Sequence, residues 1–166
     1  MKKKKERNRI QKTLLKFTSS KFGARIASRI LPPIDKTILK FTKNRSSLTS
    51  ILSGIPVIVL TTIGAKSGIP RTVPLLGVVK GEDVFLIASN WGQARHPSWY
   101  YNLKKNPKAH LSFNGKEGEH IARDATDIER EAYWAEAVDM YAGYAEYKKR
   151  ISTREIPMFI LSPIKE

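Results

Sequence analysis

The sequence has no cysteine and only three histidines among its 166 residues. The absence of cysteine excludes disulfides, thiolate metal sites and cysteine nucleophiles. The sequence also lacks an apolar run as long as a membrane-spanning helix needs, which is about 20 residues. Although the N-terminus is basic, no uninterrupted apolar stretch follows it. No secretory signal is therefore predicted, and the expected location is the cytoplasm.

Negative charge is scarce at one end of the chain, and the net charge of +15 is unevenly placed. Residues 1–45 hold 15 Lys and Arg against two acidic residues, which gives +13. Residues 46–166 hold 15 against 13, which gives +2. The length suits one domain of ordinary size. We therefore predict a basic arm over residues 1–45 and a nearly neutral body over residues 46–166.

The arm repeats apolar residues at near-helical spacing among its cations, with a break predicted at Pro32 and Pro33. Basic amphipathic helices of this kind can lie on an anionic membrane, and the composition favours that partner. A second interpretation is that the apolar faces pack on the body or on a partner chain, as we expect for residues 33–52. Nucleic acid is not expected, because the arm has no Trp or Tyr for base stacking. The apolar positions are Ile10, Leu14, Phe17, Phe22, Ile26, Ile30, Ile34, Ile38, Leu39 and Phe41.

The body reads as mainly β, in the α+β class. Six strands are predicted over residues 56–62, 71–80, 84–89, 109–113, 117–125 and 155–163. Helices are predicted over residues 96–107 and 126–150, the second bent or divided at Gly143 and capped by Thr126 or Asp127. Pro74 favours a strand edge or a bulge, and Asn114-Gly115 is a hairpin turn. The pattern predicts a small antiparallel barrel with short helices at its mouth.

The loop between the first two strands, TTIGAKSGIPRTVPLL, is long and basic for a hairpin connection. Lys66 and Arg71, with several free backbone N–H groups, suit a phosphate or a carboxylate. The alternative is a solvated loop with incidental cations. The loop is not a Walker A motif. It lacks the four-residue spacing between the first glycine and Gly-Lys, and no nucleotide-binding helix follows it.

Aromatic residues concentrate in two further segments. Residues 88–102 place small, polar and aromatic side chains after a strand, where ligands commonly bind. Tyr141, Tyr144 and Tyr147 are spaced by three, and they belong either to the core or to the roof of an apolar cavity. We interpret His96 as a surface helix cap.

Other chemistries lack support in the sequence. The histidines have no metal-like spacing, so no metal site is predicted. No clustered carboxylate pair or G-x-S-x-G motif is present. An enzyme built on this chain would borrow its reactivity from a cofactor.

Four motifs in order carry a family resemblance. They are TT-x-G-x-KSG-x-PR-x-x-PL, ASN-x-G-x-x-x-HP-x-WY-x-NL, Y-x-GY-x-x-Y and REIP. Together, over about residues 40–164, the chain resembles the deazaflavin-dependent nitroreductase family, whose members are split β-barrel proteins that bind coenzyme F420. The resemblance implies an oxidoreductase that uses reduced F420 as hydride donor to an electron-poor acceptor such as a quinone, with nitroaromatics as adventitious substrates.

The resemblance also implies which residues form the site. Lys66 and Arg71 would hold the cofactor's phosphate and acidic tail, and the strand after them would line its ring. The implied cofactor-binding residues are Ala65, Lys66, Ser67, Arg71, Thr72, Val73, Pro74, Leu75, Leu76, Ile87, Ala88, Ser89, Asn90, Ser98, Trp99, Tyr100, Tyr101, Asn102 and Tyr144. The acceptor would meet Leu76, Tyr141, Tyr144 and Tyr147.

The source of the proton stays open at this point. Tyr141, Tyr144, Ser89 and water are the candidates. Trp91 stands where the family commonly has a small residue, and it is expected to narrow the pocket. The alternatives are a split barrel that binds FMN, haem or a fatty acid, and a non-enzymatic membrane-associated binding module.

Overall fold

The computed structural model describes residues 7–42, 47–55, 57–113 and 115–165. Six antiparallel strands close into a barrel in the order β1-β2-β3-β6-β5-β4. This confirms the predicted barrel and its number of strands. The strands are β1 (Val57–Ile63), β2 (Pro70–Lys80), β3 (Asp83–Ile87), β4 (Lys108–Phe113), β5 (Lys116–Asp124) and β6 (Met158–Pro163).

Six helices surround the barrel in the described part of the chain. Two of them, α5 and α6, replace the single predicted helix over residues 126–150, and they meet at Gly143 as expected. Thr126 caps α5 and exchanges hydrogen bonds with Glu129, which satisfies backbone N–H groups at the start of the helix. The helices are α1 (Arg9–Ser19), α2 (Lys21–Phe41), α3 (Leu48–Ser53), α4 (Ser98–Lys105), α5 (Asp127–Met140) and α6 (Gly143–Arg150).

Several predicted features fall on residues outside the described ranges. They are the lysine run of residues 1–6, the boundary between arm and body at residues 43–46, the strand start at Pro56 and Asn114 of the predicted turn.

Strand β2 has a paired neighbour on only one side at each point along its length. Residues 70–76 pair with β1, and residues 77–80 pair with β3. Pro74 lies opposite Val59 in the segment that has one neighbour only. A proline, which has no N–H to donate, fits such an edge, as predicted. Within the described part of the chain, residues 70–76 have no strand on their other side, and residues 71–76 of this open segment line the cavity described below.

The core has two parts on either side of β3. Val84 and Leu86 point to one side, where they pack with Trp99 of α4. Phe85 and Ile87 point to the other side, where they join a cluster with residues of α5 and α6. Because successive side chains of a strand alternate, a strand buried on both faces has the unbroken apolar sequence seen in VFLI.

The predicted break at Pro32 and Pro33 is wrong. Helix α2 continues through both prolines, although each of them removes a backbone N–H from the helical ladder. Tertiary packing holds the helix on both sides of them, since Ala27 before and Leu39 after the prolines are buried. Asp35, also buried, accepts hydrogen bonds from the backbone N–H and the hydroxyl of Thr49 in α3.

The arm is docked on the body from its first described residues. Arg7 donates to the carbonyl of Met140 at 2.6 Å, and Arg150 donates to the carbonyl of Ser19 at 2.8 Å. Packing of the arm, expected for residues 33–52, thus extends to α1. No helix within the described ranges is long and apolar enough to cross a membrane.

Candidate functional site

A cavity of about 1480 Å³ lies between the open segment of β2, the turn after β3, helix α4 and the arm. Pockets for a single small ligand usually measure about 300–1000 Å³, so this one has room for two molecules. Nineteen of the 21 predicted site residues line it. The two that do not are Ala88 and Tyr100. The nineteen are Ala65, Lys66, Ser67, Arg71, Thr72, Val73, Pro74, Leu75, Leu76, Ile87, Ser89, Asn90, Ser98, Trp99, Tyr101, Asn102, Tyr141, Tyr144 and Tyr147.

The loop between β1 and β2 is closed on itself by backbone hydrogen bonds. The N–H of Gly64 donates to the carbonyl of Ile69 at 3.0 Å, and that of Gly68 donates to the carbonyl of Gly64 at 2.8 Å. A Cβ on Gly64 would lie 2.6 Å from Ser67 Oγ, so a larger residue would push the loop open. Glycine at position 64 therefore allows the tight turn.

Two side chains of α4 hold this loop in place through hydrogen bonds. Asn102 is buried and accepts from the N–H of Ala65 at 2.8 Å, while its amide donates to Thr62 Oγ1 at 2.9 Å. Lys105 Nζ donates to the carbonyl of Ala65 at 2.6 Å. Asn102, which the resemblance assigns to cofactor binding, thus also positions the loop.

The loop presents unused donors to the cavity. Lys66 and Arg71 have no acidic partner within the described residues, and the backbone N–H groups of Lys66 and Ser67 have no acceptor there. Two cations beside free N–H groups make a site for an anionic oxygen-rich group.

The turn after β3 is strained. Asn90 and Trp91 have φ values of 48° and 58°, in the left-handed region that non-glycine residues rarely adopt, and Gly92 follows at 75°. Trp91, which was expected to narrow the pocket, lines the cavity. Such strain persists only where the surroundings hold it, and it is common beside functional sites.

Arg154, from the REIP motif, provides much of that support. Its guanidinium lies 2.9–3.4 Å from the carbonyl oxygens of Ala88, Ser89, Gln93, Arg95 and Glu155. It also contacts Nδ1 of His96 at 3.2 Å. The interpretation of His96 as a surface helix cap is wrong, since Pro97 is the N-cap of α4 and His96 lines the cavity.

Tyr141, at the end of α5, and Tyr144 and Tyr147 of α6 form a buried cluster whose hydroxyls are already hydrogen-bonded. Tyr141 donates to Thr18 Oγ1 at 3.1 Å, and Tyr147 lies 3.1 Å from the carbonyl of Thr18 and 2.8 Å from the Tyr141 hydroxyl. Tyr144 donates to the carbonyl of Leu76 at 3.2 Å. The rings therefore form part of the cavity wall, while their hydroxyls connect the arm to the body and α6 to β2.

Burial raises the pKa of Tyr144 and of Tyr147 far above the usual range for a phenol. A raised pKa means that the neutral phenol is stabilised by folding. That contribution is present below about pH 10, where an unfolded tyrosine titrates, and it is lost as the pH rises further. The cluster thus makes the fold sensitive to alkali.

We expect the free energy of unfolding to fall above pH 10, by up to about 1.4 kcal/mol per pH unit for each tyrosine that ionises on unfolding. Urea titrations between pH 8 and pH 11 measure this slope. The variant Tyr144→Phe should show a shallower slope than the wild type. Identical slopes would mean that Tyr144 does not contribute.

Ser89 differs from the tyrosines in having a free hydroxyl. Its backbone is held by Arg154, but its Oγ has no hydrogen-bond partner in the described part of the chain. The residue is 7% exposed and lines the cavity. Of the three predicted proton donors, Ser89 is the one whose hydroxyl remains available to a bound molecule.

Sequence reasoning missed several residues of the site. Thr18 and Asp35 lie in the arm and line the cavity, and no pattern in the sequence places them there or connects Thr18 to Tyr141 and Tyr147, more than 100 positions away. Arg154 belongs to the REIP motif, but the sequence alone did not indicate its role in the site. Its signal was a charged residue four positions before the apolar strand β6.

The comparisons with known proteins agree on one family. The family model for the F420H(2)-dependent quinone reductase matches residues 36–163. The F420H(2)-dependent quinone reductase Rv1261c of Mycobacterium tuberculosis is 33% identical over 110 residues, which are 64% of this chain and 73% of that protein. A second protein of that species, Rv3178, is 34% identical over 109 residues, covering 66% of this chain and 91% of its own.

Solved structures give the same result. A structure named F420-H2 dependent reductase (FDR-A) is 41% identical with a TM-score of 0.60, over 64% of this chain and 94% of that one. A haem-binding protein from Mycobacterium smegmatis, at 18% identity and a TM-score of 0.51, covering 68% of this chain and 48% of its own, shares the fold alone. The present chain belongs to the F420H(2)-dependent quinone reductase family.

Proposed function

We propose that this protein reduces quinones with reduced F420, and that the cofactor lies along the Gly64–Arg71 loop and the open segment of β2. The observation that carries the proposal is that two cations, Lys66 and Arg71, line a cavity large enough for two molecules and have no acidic partner among the described residues. Reduced F420, when bound, supplies a hydride from C5 of its deazaflavin ring.

The residues present fit the anionic part of this cofactor. Lys66 and Arg71 would hold its phosphate and acidic tail, with the N–H groups of Lys66 and Ser67 as further donors. The hydrogen bond from the Ala65 N–H to Asn102 holds the loop that carries these donors before the cofactor binds. A preformed site loses less entropy on binding than one that must be ordered.

The open segment of β2 fits a flat ring. Residues 72–76 line the cavity and lack a second strand neighbour, so backbone groups are available beside a ring system. Ser89 and Asn90 lie across the same cavity. These two walls would orient the reacting carbon, which is the protein's main contribution when a cofactor supplies the reactivity.

The acceptor would bind on the side of the cavity that the arm covers. This side is mostly apolar, and it lies next to Leu76 and the tyrosine cluster. A quinone is a flat, largely apolar molecule and suits such walls. The apolar arm residues that line this side are Leu14, Leu15, Phe17, Ile26, Ala27, Ile30, Leu31 and Pro32, and the polar ones are Thr18, Ser28 and Asp35.

A quinone needs one proton besides the hydride, and we assign its delivery to Ser89. The hydroxyl of Ser89 has no partner in the ranges that the structure describes, whereas Tyr144 already donates to the carbonyl of Leu76. Ser89→Ala should lower kcat with a soluble quinone by about a hundredfold, the lower range for a lost proton donor. Tyr144→Phe should change kcat by less than about threefold.

The kcat of each variant is measured from the oxidation of reduced F420, which is monitored by the return of the absorbance of oxidised F420. Binding of F420 to each variant, measured by fluorescence, is the control for a damaged site. A wild-type kcat in Ser89→Ala would assign the proton to water. A large fall in Tyr144→Phe would assign it to the tyrosine.

The outer face of the arm supports a second part of the proposal, an anionic membrane surface as partner. Ile34 and Phe41 of α2 are 38% and 83% exposed and lie seven residues, or about two turns, apart on one face, and Phe22, near the start of the same helix, is 70% exposed. Eight exposed cations surround them in α1 and α2, and the single acidic residue of these helices, Asp35, is buried. Apolar anchors within a cationic face suit an anionic bilayer.

Sedimentation with vesicles tests this surface. Phosphatidylglycerol vesicles should retain the protein, and phosphatidylcholine vesicles should not. The variant Phe22→Ser, Phe41→Ser should bind at least about tenfold more weakly, since each phenylalanine contributes apolar burial. Ile128→Ser, an exposed apolar residue of α5, is the matched control. Equal retention by all variants, or binding to DNA that falls steeply with salt, would contradict the proposal.

A further inference from the structure

Arg154 and His96 form a pair whose geometry has a chemical consequence. An arginine side chain only donates hydrogen bonds, so Nδ1 of His96, 3.2 Å from the Arg154 guanidinium, must be the acceptor. The ring proton of a neutral His96 then resides on Nε2. Burial, followed by the nearby charge of Arg154, lowers the pKa of His96, which keeps the ring neutral at pH 7.

The ring of His96 is held in place by its neighbours. It stacks on Tyr100 with the ring centroids 4.3 Å apart, and it meets the edge of Tyr101 at 6.0 Å. Nε2 has no partner within the described residues, although His96 lines the cavity. An oriented N–H donor is therefore left unused in a ligand cavity.

The position of His96 indicates which bound molecule its N–H would contact. It lies between the strained turn at Ser89–Gly92 and Ser98, the first residue of α4. Both segments belong to the wall that we assign to the cofactor. A neutral donor suits a carbonyl oxygen, because it forms a hydrogen bond without adding another cation beside Arg154.

We propose that Arg154 is a positioning residue that holds His96 in the Nε2–H form, and that this N–H donates a hydrogen bond to a carbonyl oxygen of the cofactor. The inference rests on the proposed function, since it needs F420 in this cavity. Arg154 thus has two structural functions. It holds the carbonyls of the strained turn, and it selects the tautomer of His96.

The first test is nitrogen NMR of the histidine rings in the wild-type protein. The chain has three histidines, so the His96 signals are assigned by comparison with the His96→Gln variant. We expect a protonated Nε2 and an unprotonated Nδ1 at pH 7, and a shift of the Nε2 signal when F420 is added. A protonated Nδ1, or an Nε2 signal that F420 does not move, would overturn the proposal.

The second test is the affinity for F420 of three variants. His96→Ala should bind about tenfold more weakly, the loss expected for one hydrogen bond. His96→Gln should recover most of this loss, because its amide nitrogen reaches the place of Nε2. His96→Asn should not recover it, because its shorter amide ends near the place of Nδ1.

The outcomes separate this inference from the proposed function. If the wild type does not bind F420, the proposed function fails and this inference fails with it. If the wild type binds and His96→Ala binds within twofold of it, only the inference fails. Loss of affinity in His96→Ala with no recovery in His96→Gln would reduce His96 to a packing residue and would also overturn the proposal.

Discussion

Replacing both Lys66 and Arg71 by alanine is expected to lower the affinity for F420 by about a hundredfold or more. Each cation would lose a charge-assisted hydrogen bond to an anionic oxygen of the cofactor. The fold should be unaffected, because both side chains are exposed and neither has an acidic partner in the described ranges. A fluorescence titration with F420 measures the change.

The matched control is the double variant Lys108→Ala, Lys116→Ala. It removes the same total charge from exposed positions that do not line the cavity. If the two double variants weaken binding equally, the effect is one of overall charge and the loop has no special role. Titration with FMN in parallel shows whether the site prefers the longer anionic tail of F420.

The second large effect is expected at Gly143, where α6 begins. An added Cβ would lie 2.2 Å from Cζ of Tyr141, far inside contact distance. The ring cannot move aside, since it is 4% exposed and its hydroxyl is bonded to Thr18 and lies 2.8 Å from that of Tyr147. Gly143→Ala should therefore lower the free energy of unfolding by about 2–3 kcal/mol, the cost of overpacking a core.

Urea denaturation measures this loss, with Gly118→Ala as the control. Gly118 lies in β5 with no atom within 4 Å of an added Cβ and without a positive φ. A wild-type stability for Gly143→Ala would mean that the tyrosine cluster is loosely packed. The same loss in Gly118→Ala would point to a general cost of replacing glycine.

Much of the fold was predictable because its strands carry strong local patterns. The unbroken apolar run of β3 indicates a strand buried on both faces, and Pro74 marks the strand segment that has one neighbour. The exception was α2, where Pro32 and Pro33 argue for a break. Tertiary packing on both sides of the prolines decides that case, and no local pattern contains that information.

The site was predictable where short motifs bring its residues together, as in the Gly64–Arg71 loop. It was not predictable where the contacts are distant in the chain. The hydrogen bonds between Tyr141 and Thr18, and between Arg154 and His96, join segments that have no common pattern. The hydroxyls of the tyrosines were expected to meet a ligand, but the structure engages them within the protein.

A crystal structure of the complex with F420 tests the central claim most directly. We predict that the phosphate and acidic tail contact Lys66 and Arg71, and that the ring lies against residues 72–76 with His96 Nε2 near one of its carbonyl oxygens. A ring bound on the arm side of the cavity, with Lys66 and Arg71 free of contacts, would contradict the account.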